Sequence, residues 1–419
     1  MEDHSGQDGR IGVAERDAWF DEALLTADYL ADPYRYYAAL RERGPLHFSR
    51  VLNGWVATRY SDVAAGLLDK RLISGQRVES YARSLEPAAR EGMEPLHRHL
   101  AKWIGNMDPP GHTRLRALVN YAFTPRMVRD LAGTIEAVTD RLLDAAIARG
   151  SLEFVREFAY PLPASVIAIM LGVPESDQER FIHWADDLTA YSGTGCPAAP
   201  LAASAQRSAQ ELAGYLLGIA GSRRREPRND LITALVTLEG AGDKLNEEEL
   251  VAMCTFLLVA GHETTMALLS NGLLALLRHP DQRELLRQRP EFIDSAVEEF
   301  LRYDSPIQHQ TRVGAQSFTF AGTRIEAGER VLLMLGAANR DPEQFPEPGY
   351  LDIRREPNRH LAFGLGIHYC LGAPLARLEA KIAFPRILQR CPQIRLDEDR
   401  LEWRCHTSNR NPVRMTVSW

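Results

Sequence analysis

From Asn246 the chain runs "NEEELVAMCTFLLVAGHETTMALLSNGLLALLRH" and meets no proline until Pro280. Asn246 is a helix N-cap residue, and Glu247, Glu248 and Glu249 suit the positive end of the helix dipole. About 33 residues at ~1.5 Å each make a rod of roughly 50 Å, long enough to cross a whole molecule. Its middle is apolar on nearly every face, so the rest of the chain must pack around it. Yet that middle also holds Gly261, His262, Glu263, Thr264 and Thr265. Buried polar groups are either hydrogen-bonded or kept for use, so this stretch is the first candidate site.

The remaining chain reads as mainly α with small β-sheets. "DPYRYYAALRERGP" predicts a helix ended by Gly-Pro, and "LHFSRVLNGWVATRY" a hairpin turning at Asn53-Gly54. The pattern is overwhelmingly helical from residue 112 to 305, with short strands around 311–334 and again around 411–418. No linker or repeat divides the 419 residues, so one unit over 1–419 is expected, with about residues 1–30 as an N-terminal extension. A formal net charge of −7 gives no reason to expect nucleic acid as a partner. The opening "MEDHSGQDGR" is polar and acidic, unlike a signal peptide or an anchor. No apolar run approaches the ~18 residues needed to span a bilayer, so a cytoplasmic, soluble protein is expected.

Five cysteines, Cys196, Cys254, Cys370, Cys391 and Cys405, are too few and too scattered for a disulfide framework. No CxxC pair suggests structural zinc, and Cys254, inside the apolar helix, reads as a small hydrophobe. Cys370 differs. It lies in "HLAFGLGIHYCLGAPLARLE", where Gly364, Gly366 and Gly372 let the backbone take positive φ angles and approach a flat object closely. It also stands where a helix opens, and a helix N-terminus favours the thiolate. A thiolate there is a nucleophile or a metal ligand. As a nucleophile it needs a base, and His368 stands two residues away; as part of a zinc site, His360, His368 and Cys370 lack a fourth member. A single thiolate behind a flat cofactor fits best, and iron porphyrin is the cofactor that takes one axial cysteine.

Phe363-Gly364-x-Gly366-x-His368-x-Cys370-x-Gly372 resembles the haem-binding loop of the cytochrome P-450 superfamily. Six fixed residues at fixed spacing are seldom met by chance. The resemblance continues in order from about residue 30 onward and is strongest to the soluble bacterial branch. It implies the cytochrome P-450 fold, with haem b (iron protoporphyrin IX) between the long central helix and the helix after the cysteine loop. Cys370 is then the axial iron ligand, with Ala260, Gly261, Phe363 and Gly372 lining the cofactor. His112, Arg116, Arg312 and His368 are implied partners of the haem propionates, although His112 and Arg116, four apart, are otherwise an ordinary solvated helix face. Glu299 and Arg302 in "EEFLR", alone a surface ion pair, become the buried Glu-x-x-Arg pair, completed by Arg355 and fixing the cysteine loop. In "AGHETT", Gly261 leaves room for a diatomic ligand, Thr264 loosens the helix locally, and Glu263 with Thr264 forms an acid–alcohol pair that delivers protons. His262 is read as structural.

The implied activity is monooxygenation: one atom of O2 enters a small hydrophobic organic substrate, by hydroxylation or epoxidation, and the other leaves as water. No glycine-rich dinucleotide fingerprint follows a strand, so electrons are expected from a separate ferredoxin and its flavin-containing reductase. Arg114, Arg126 and Arg359 are candidates for a basic patch that receives an acidic ferredoxin. Residues 75–105 and 178–210 are expected as irregular lid segments, with "YSGTGCPAAP" (191–200) as a hinge and Ile307 and Gln308 facing the pocket. The resemblance further implies a monomer, no membrane, and a tailoring step in bacterial natural-product biosynthesis (polyketide or macrolide, terpenoid or peptide). Rival readings are a non-catalytic haem-thiolate sensor or carrier, a peroxide-driven peroxygenase and, if no haem binds, a zinc hydrolase.

Overall fold

The computed structural model describes residues 18–83, 87–193, 199–237 and 244–419. The long helix runs Glu247–Arg278 and starts in a capping box. The Asn246 side chain accepts from the Glu249 amide at 2.9 Å, and the Glu249 carboxylate accepts from the Asn246 amide at 3.0 Å. By length and composition this helix could cross a membrane, but 78% of its most apolar window is buried inside the protein. It is the core about which the other helices pack.

Four residues between Leu250 and Leu276 escape full burial: Phe256, Ala260, Gly261 and Thr264. At 100° per residue these four share one side of the helix. Every other side is covered, by helices Pro161–Leu171, Ile293–Tyr303 and Ala373–Arg390 among others. Gly272 permits the tightest of these crossings, since a Cβ there would lie 2.6 Å from Phe384 and 3.1 Å from Phe300.

The sheets are small and peripheral. A five-stranded sheet runs in the order Leu46–Ser49, Gly54–Ala57, Arg330–Leu333, Gln310–Gly314, Leu72–Ile73. Its first two strands are the expected hairpin, with Asn53 at φ 48° in the turn. The C-terminal strand Pro412–Ser418 pairs with Arg395–Trp403 and Ser151–Glu153. "RLDEDRLEW" gave no strand signal because it is a mostly exposed edge whose pairing, rather than its apolar pattern, holds it.

Two expectations are revised. Residues 18–30, expected within an N-terminal extension, belong to the fold from Ala18 onward: helices Ala18–Ala23 and Ala27–Ala31 bury Phe20 and Tyr29 against Tyr37, Leu40 and Val56. The expected irregular lids are largely helical, as Arg77–Ala82, Pro87–Gly92 and Glu94–Ala101 in the first, and Gln178–Gly193 and Ala199–Arg225 in the second. The hinge placed at 191–200 falls mostly on residues 194–198, outside the described residues.

Candidate active site

The cysteine loop is held by its own backbone. Gly364 and Gly366 take φ of 68° and 72°, and the Cys370 amide donates to the Phe363 carbonyl at 2.9 Å. Gly372 does not need positive φ; at −79° it is the N-cap of helix Ala373–Arg390. Cys370 therefore stands just before the helix rather than at its first turn, and the amides of Gly372 and Ala373 still reach its sulfur. The expected lowering of the thiol is overturned. Burial pushes the Cys370 thiol above its ordinary range, and those amides, Arg116 and Arg377 only oppose it. The helix start makes a poised thiol, and a coordinated metal ion supplies the charge that removes its proton.

The loop is anchored from helix Ile293–Tyr303 through two adjacent glutamates. Glu299 and Arg302, both fully buried, meet in a fork at 2.7 and 2.8 Å. Arg355 reaches both Glu299 oxygens at 3.2 Å, while Arg354 turns instead to Asp352. Asn358 and the Asp352 amide complete the shell around Glu299. Sequence reasoning missed the second anchor. Glu298 takes a bidentate bond from Arg377 at 2.6 and 2.7 Å and a contact from His360 at 3.1 Å. Burial alone would raise its carboxyl, but Arg377 and His360 hold it down to about 2. Arg377 also lies over the Phe363 ring, 4.5 Å from its centroid, and so ties Phe363 to the same pin. The doubled acid in "EEFLR" was the only available signal. His360 is thus engaged away from Cys370, and among the described residues no group of three or more His, Cys, Asp or Glu side chains could hold a metal ion.

Above the loop lies a cluster of cations short of anions. The His112 and His368 rings come together, 4.4 Å between centroids, and His112 Nδ1 is buried without a partner. Arg312 is 3% exposed and donates to the Thr311 carbonyl and to Gln310 Oε1. Arg77, unnoticed in the sequence, joins them: it donates to the Gly105 carbonyl at 2.7 Å and to Asn106, with its Nε buried and unpaired. Burial, then Arg77, pushes Arg312 down to about 9, while burial brings Arg77 to about 10. Burial, then Arg312, His112, Arg77 and Arg116, takes His368 to about 3. The nearby Asp108 is committed to the amides of Ser74 and Gly75. Such a cluster is destabilised until anions enter it, and the two propionates of an iron porphyrin are anions of the right number and chemistry. Arg116 lies within electrostatic reach of His112, His368 and the Cys370 sulfur. Replacing Arg77 or Arg312 with leucine should weaken haem retention by about ten- to a hundredfold, as loss of one charge-assisted bond implies. Haem transfer to apomyoglobin measures this; a rate unchanged from wild type would exclude the residue from propionate binding.

The open side of the long helix carries Ala260, Gly261 and Thr264. Thr264 Oγ1 donates to the Ala260 carbonyl at 2.7 Å, and Thr265 Oγ1 to the Gly261 carbonyl at 3.0 Å. Two successive back-bonds of this type weaken the helix ladder at that turn. A Cβ at Gly261 would strike Ile167 at 2.6 Å. Its absent side chain admits a neighbouring helix. His262 packs edge-on against Tyr160, 4.3 Å between centroids, with burial and Arg404 keeping it down at about 4. Glu263 is not free in the pocket either. One oxygen accepts from Arg404 Nη1 at 2.8 Å and the other from Asn409 Nδ2 at 3.0 Å. Both partners come from the C-terminal segment, about 140 residues away, and no local pattern announces them.

A family model described as Cytochrome P450 matches residues 201–401. The chain is 43% identical to Cytochrome P450 107B1 of Saccharopolyspora erythraea, over 92% of this chain and 93% of that protein. It is 42% identical to the cytochrome P450 monooxygenase PikC of Streptomyces venezuelae, over 90% and 88%. Its fold matches the solved cytochrome P450 PksS of the Bacillus subtilis 168 bacillaene polyketide synthase with a TM-score of 0.85 at 36% identity, covering 94% and 98%. Fold, family and site together define a haem-binding oxidoreductase. The chain belongs to the cytochrome P450 family and is a monooxygenase of that class.

Proposed function

We propose that the protein oxygenates a hydrophobic natural product as a tailoring step, with Cys370 as the residue that would hold the haem iron and Thr264 as the hydroxyl that would serve proton delivery. The observation that carries this reading is the single open stripe Phe256–Ala260–Gly261–Thr264 on an otherwise buried helix. When bound, the haem supplies the activation of O2 and the transfer of one oxygen atom to the substrate. The protein's own residues orient and protonate. Thr264 presents a hydroxyl at the open turn in the middle of the helix, and its bond to the Ala260 carbonyl holds that hydroxyl in place. Glu263 is kept next to it by Arg404 and Asn409, so proton delivery from Glu263 requires that clamp to loosen or a water to bridge it. His112, His368, Arg77 and Arg312 supply propionate partners, and Arg116 faces the sulfur. Pocket residues differ from the sequence expectation. Gln308 turns away, bonded to Tyr37 and to the Ser305 carbonyl.

The tailoring assignment is supported by one relative, PksS of Bacillus subtilis 168, whose name places it in polyketide biosynthesis. For electrons we propose a separate acidic ferredoxin with its flavin reductase, in the cytoplasm and with the haem protein monomeric. Leu68, Ile367 and Tyr369 are exposed beside the cysteine loop, and Arg359 is exposed in the segment leading into it. Arg126 lies next to Asp130 and Arg114 is committed to Glu249, so Arg359 is the best of the three basic candidates. A surrogate ferredoxin and reductase, isotopically labelled O2 and a panel of macrolactones, terpenoids and cyclic peptides test the reading. Incorporation of one labelled atom into a product supports it; a haem-loaded enzyme that oxidises none of them favours a sensor or carrier. Thr264→Ala should lower product formed per electron consumed by about tenfold, the scale of one lost general-acid contact. Unchanged coupling would remove Thr264 from proton delivery.

A further inference from the structure

The Glu298–Arg377 pin touches the cysteine loop at more points than an anchor needs. Arg377 stands in the second turn of helix Ala373–Arg390, which opens directly after the loop. Side chains on a helix lean toward its N-terminus, so the Arg377 guanidinium reaches back over the residues that precede the helix. It lies 4.5 Å from the Phe363 ring centroid and donates from Nη1 to the Tyr369 hydroxyl at 3.2 Å. Phe363 is the residue whose carbonyl takes the Cys370 amide, and Tyr369 is the residue just before Cys370. One cation therefore grips both residues that frame the sulfur.

That cation also has a counter-charge set against it. Glu298 takes the Arg377 fork and shares itself with His360 at 3.1 Å. The Arg377 and Glu298 side chains are only 25% and 26% exposed, so water screens their fields in part. Arg377 lies within electrostatic reach of the Cys370 sulfur, and its charge opposes the effect of burial there. Arg116 acts on the sulfur in the same sense but also faces the propionate cluster. Arg377 is instead set on the loop itself and carries its own anion. Holding the loop would require neither the charge nor its partner, since neutral donors and acceptors can also pin a backbone.

We propose that Arg377, with its charge metered by Glu298, sets how readily a haem iron held by Cys370 accepts an electron. Reduction adds one negative charge to the iron and its thiolate. A guanidinium beside the sulfur favours that reduced form, and the Glu298 carboxylate opposes it. Arg377 acts through Cys370 and is a positioning residue rather than a catalytic one. The inference rests on the haem-thiolate reading of Cys370 and names what regulates that ligand.

The test is a mediated redox titration of substrate-free, haem-loaded enzyme, following the ferric and ferrous Soret bands. Arg377→Gln should lower the ferrous-to-ferric ratio at a fixed ambient potential by about tenfold, a fall of about 59 mV for a one-electron couple. Glu298→Gln should raise the same ratio by about three- to tenfold, because it removes the opposing charge. Arg377→Lys, which keeps the charge and loses the fork, should hold the ratio within about threefold of wild type. Opposite shifts from the two ends of one ion pair distinguish a field from a mechanical anchor, since breaking the pair from either end loosens the loop alike. The idea is overturned if Arg377→Gln leaves the ratio unchanged, if it and Glu298→Gln move the ratio in the same direction, or if Arg377→Lys falls as far as Arg377→Gln. Should Arg377→Gln fail to load haem, the other two variants decide: Glu298→Gln must still raise the ratio and Arg377→Lys must keep it, and failure of either sinks the proposal. Failure of the underlying reading would be visible separately, as a wild-type enzyme without the carbon monoxide band of thiolate ligation.

Discussion

Cys370→Ser should abolish the long-wavelength Soret band of the reduced, carbon monoxide-bound enzyme, while Cys254→Ser should leave it in place. The contrast follows from where the two sulfurs sit. Cys370 is partly accessible and receives amides from Gly372 and Ala373, with Arg116 within electrostatic reach. Cys254 is fully buried inside the long helix, and burial drives its thiol up to about 12. Only the first can serve as a thiolate toward iron, and the band arises from the electron density that a thiolate donates. A serine oxygen is a poorer donor, so a haem-loaded serine variant is expected to show the shorter-wavelength band and to lose turnover. Retention of the long-wavelength band would mean that another group holds the iron. The raised thiol adds a second expectation to the same experiment: ligation, rather than the helix start, sets the charge on this sulfur.

Arg302→Ala should be the most destabilising single substitution in the anchor, by about 3–5 kcal/mol, the cost of leaving a buried charge without its partner. Arg302 is fully buried, gives two bonds to Glu299, and donates also to the carbonyls of Asn339, Pro348 and Tyr350. Its removal takes two bonds from the Glu299 carboxylate and one from each of three carbonyls at once. Arg302→Lys should recover little, since one ammonium cannot span a planar set of acceptors arranged for a guanidinium fork. Arg355→Ala should cost less, because Glu299 keeps Arg302, Asn358 and the Asp352 amide. Urea unfolding together with haem loss measures all three. A loss for Arg302→Ala of only ~0.5 kcal/mol, the scale of a surface ion pair, would sink the structural role assigned to it.

How much of this was legible in advance depended on how local each signal was. The long helix announced itself through its cap, its acidic first turn and its unbroken apolar run, all contained in one segment. The cysteine loop was legible for the same reason, because glycines and thiol lie within a few residues and their spacing carries the constraint. Glu299, Arg302 and Arg355 could be named because motif order supplied what distance in the chain concealed. Arg77, Glu298, Arg377, Arg404 and Asn409 could not. Each looks like an ordinary solvated side chain until the fold brings its partner, as Arg404 shows by meeting Glu263 across 141 positions. One local inference also failed for tertiary reasons: the Cys370 thiol feels burial more than it feels the helix start.

The sequence by itself determined the kind of molecule, a helical haem-binding member of the cytochrome P450 family, and singled out Cys370, Glu263 and Thr264 as its candidate site residues. Periodicity, caps and turn glycines act over a few residues, so they survive in one dimension. Only the tertiary structure decided which side of the long helix stays open, what clamps Glu263, where the cations gather and which histidines are left without partners. Burial and electrostatics depend on everything within several ångströms, and chain order does not record that neighbourhood.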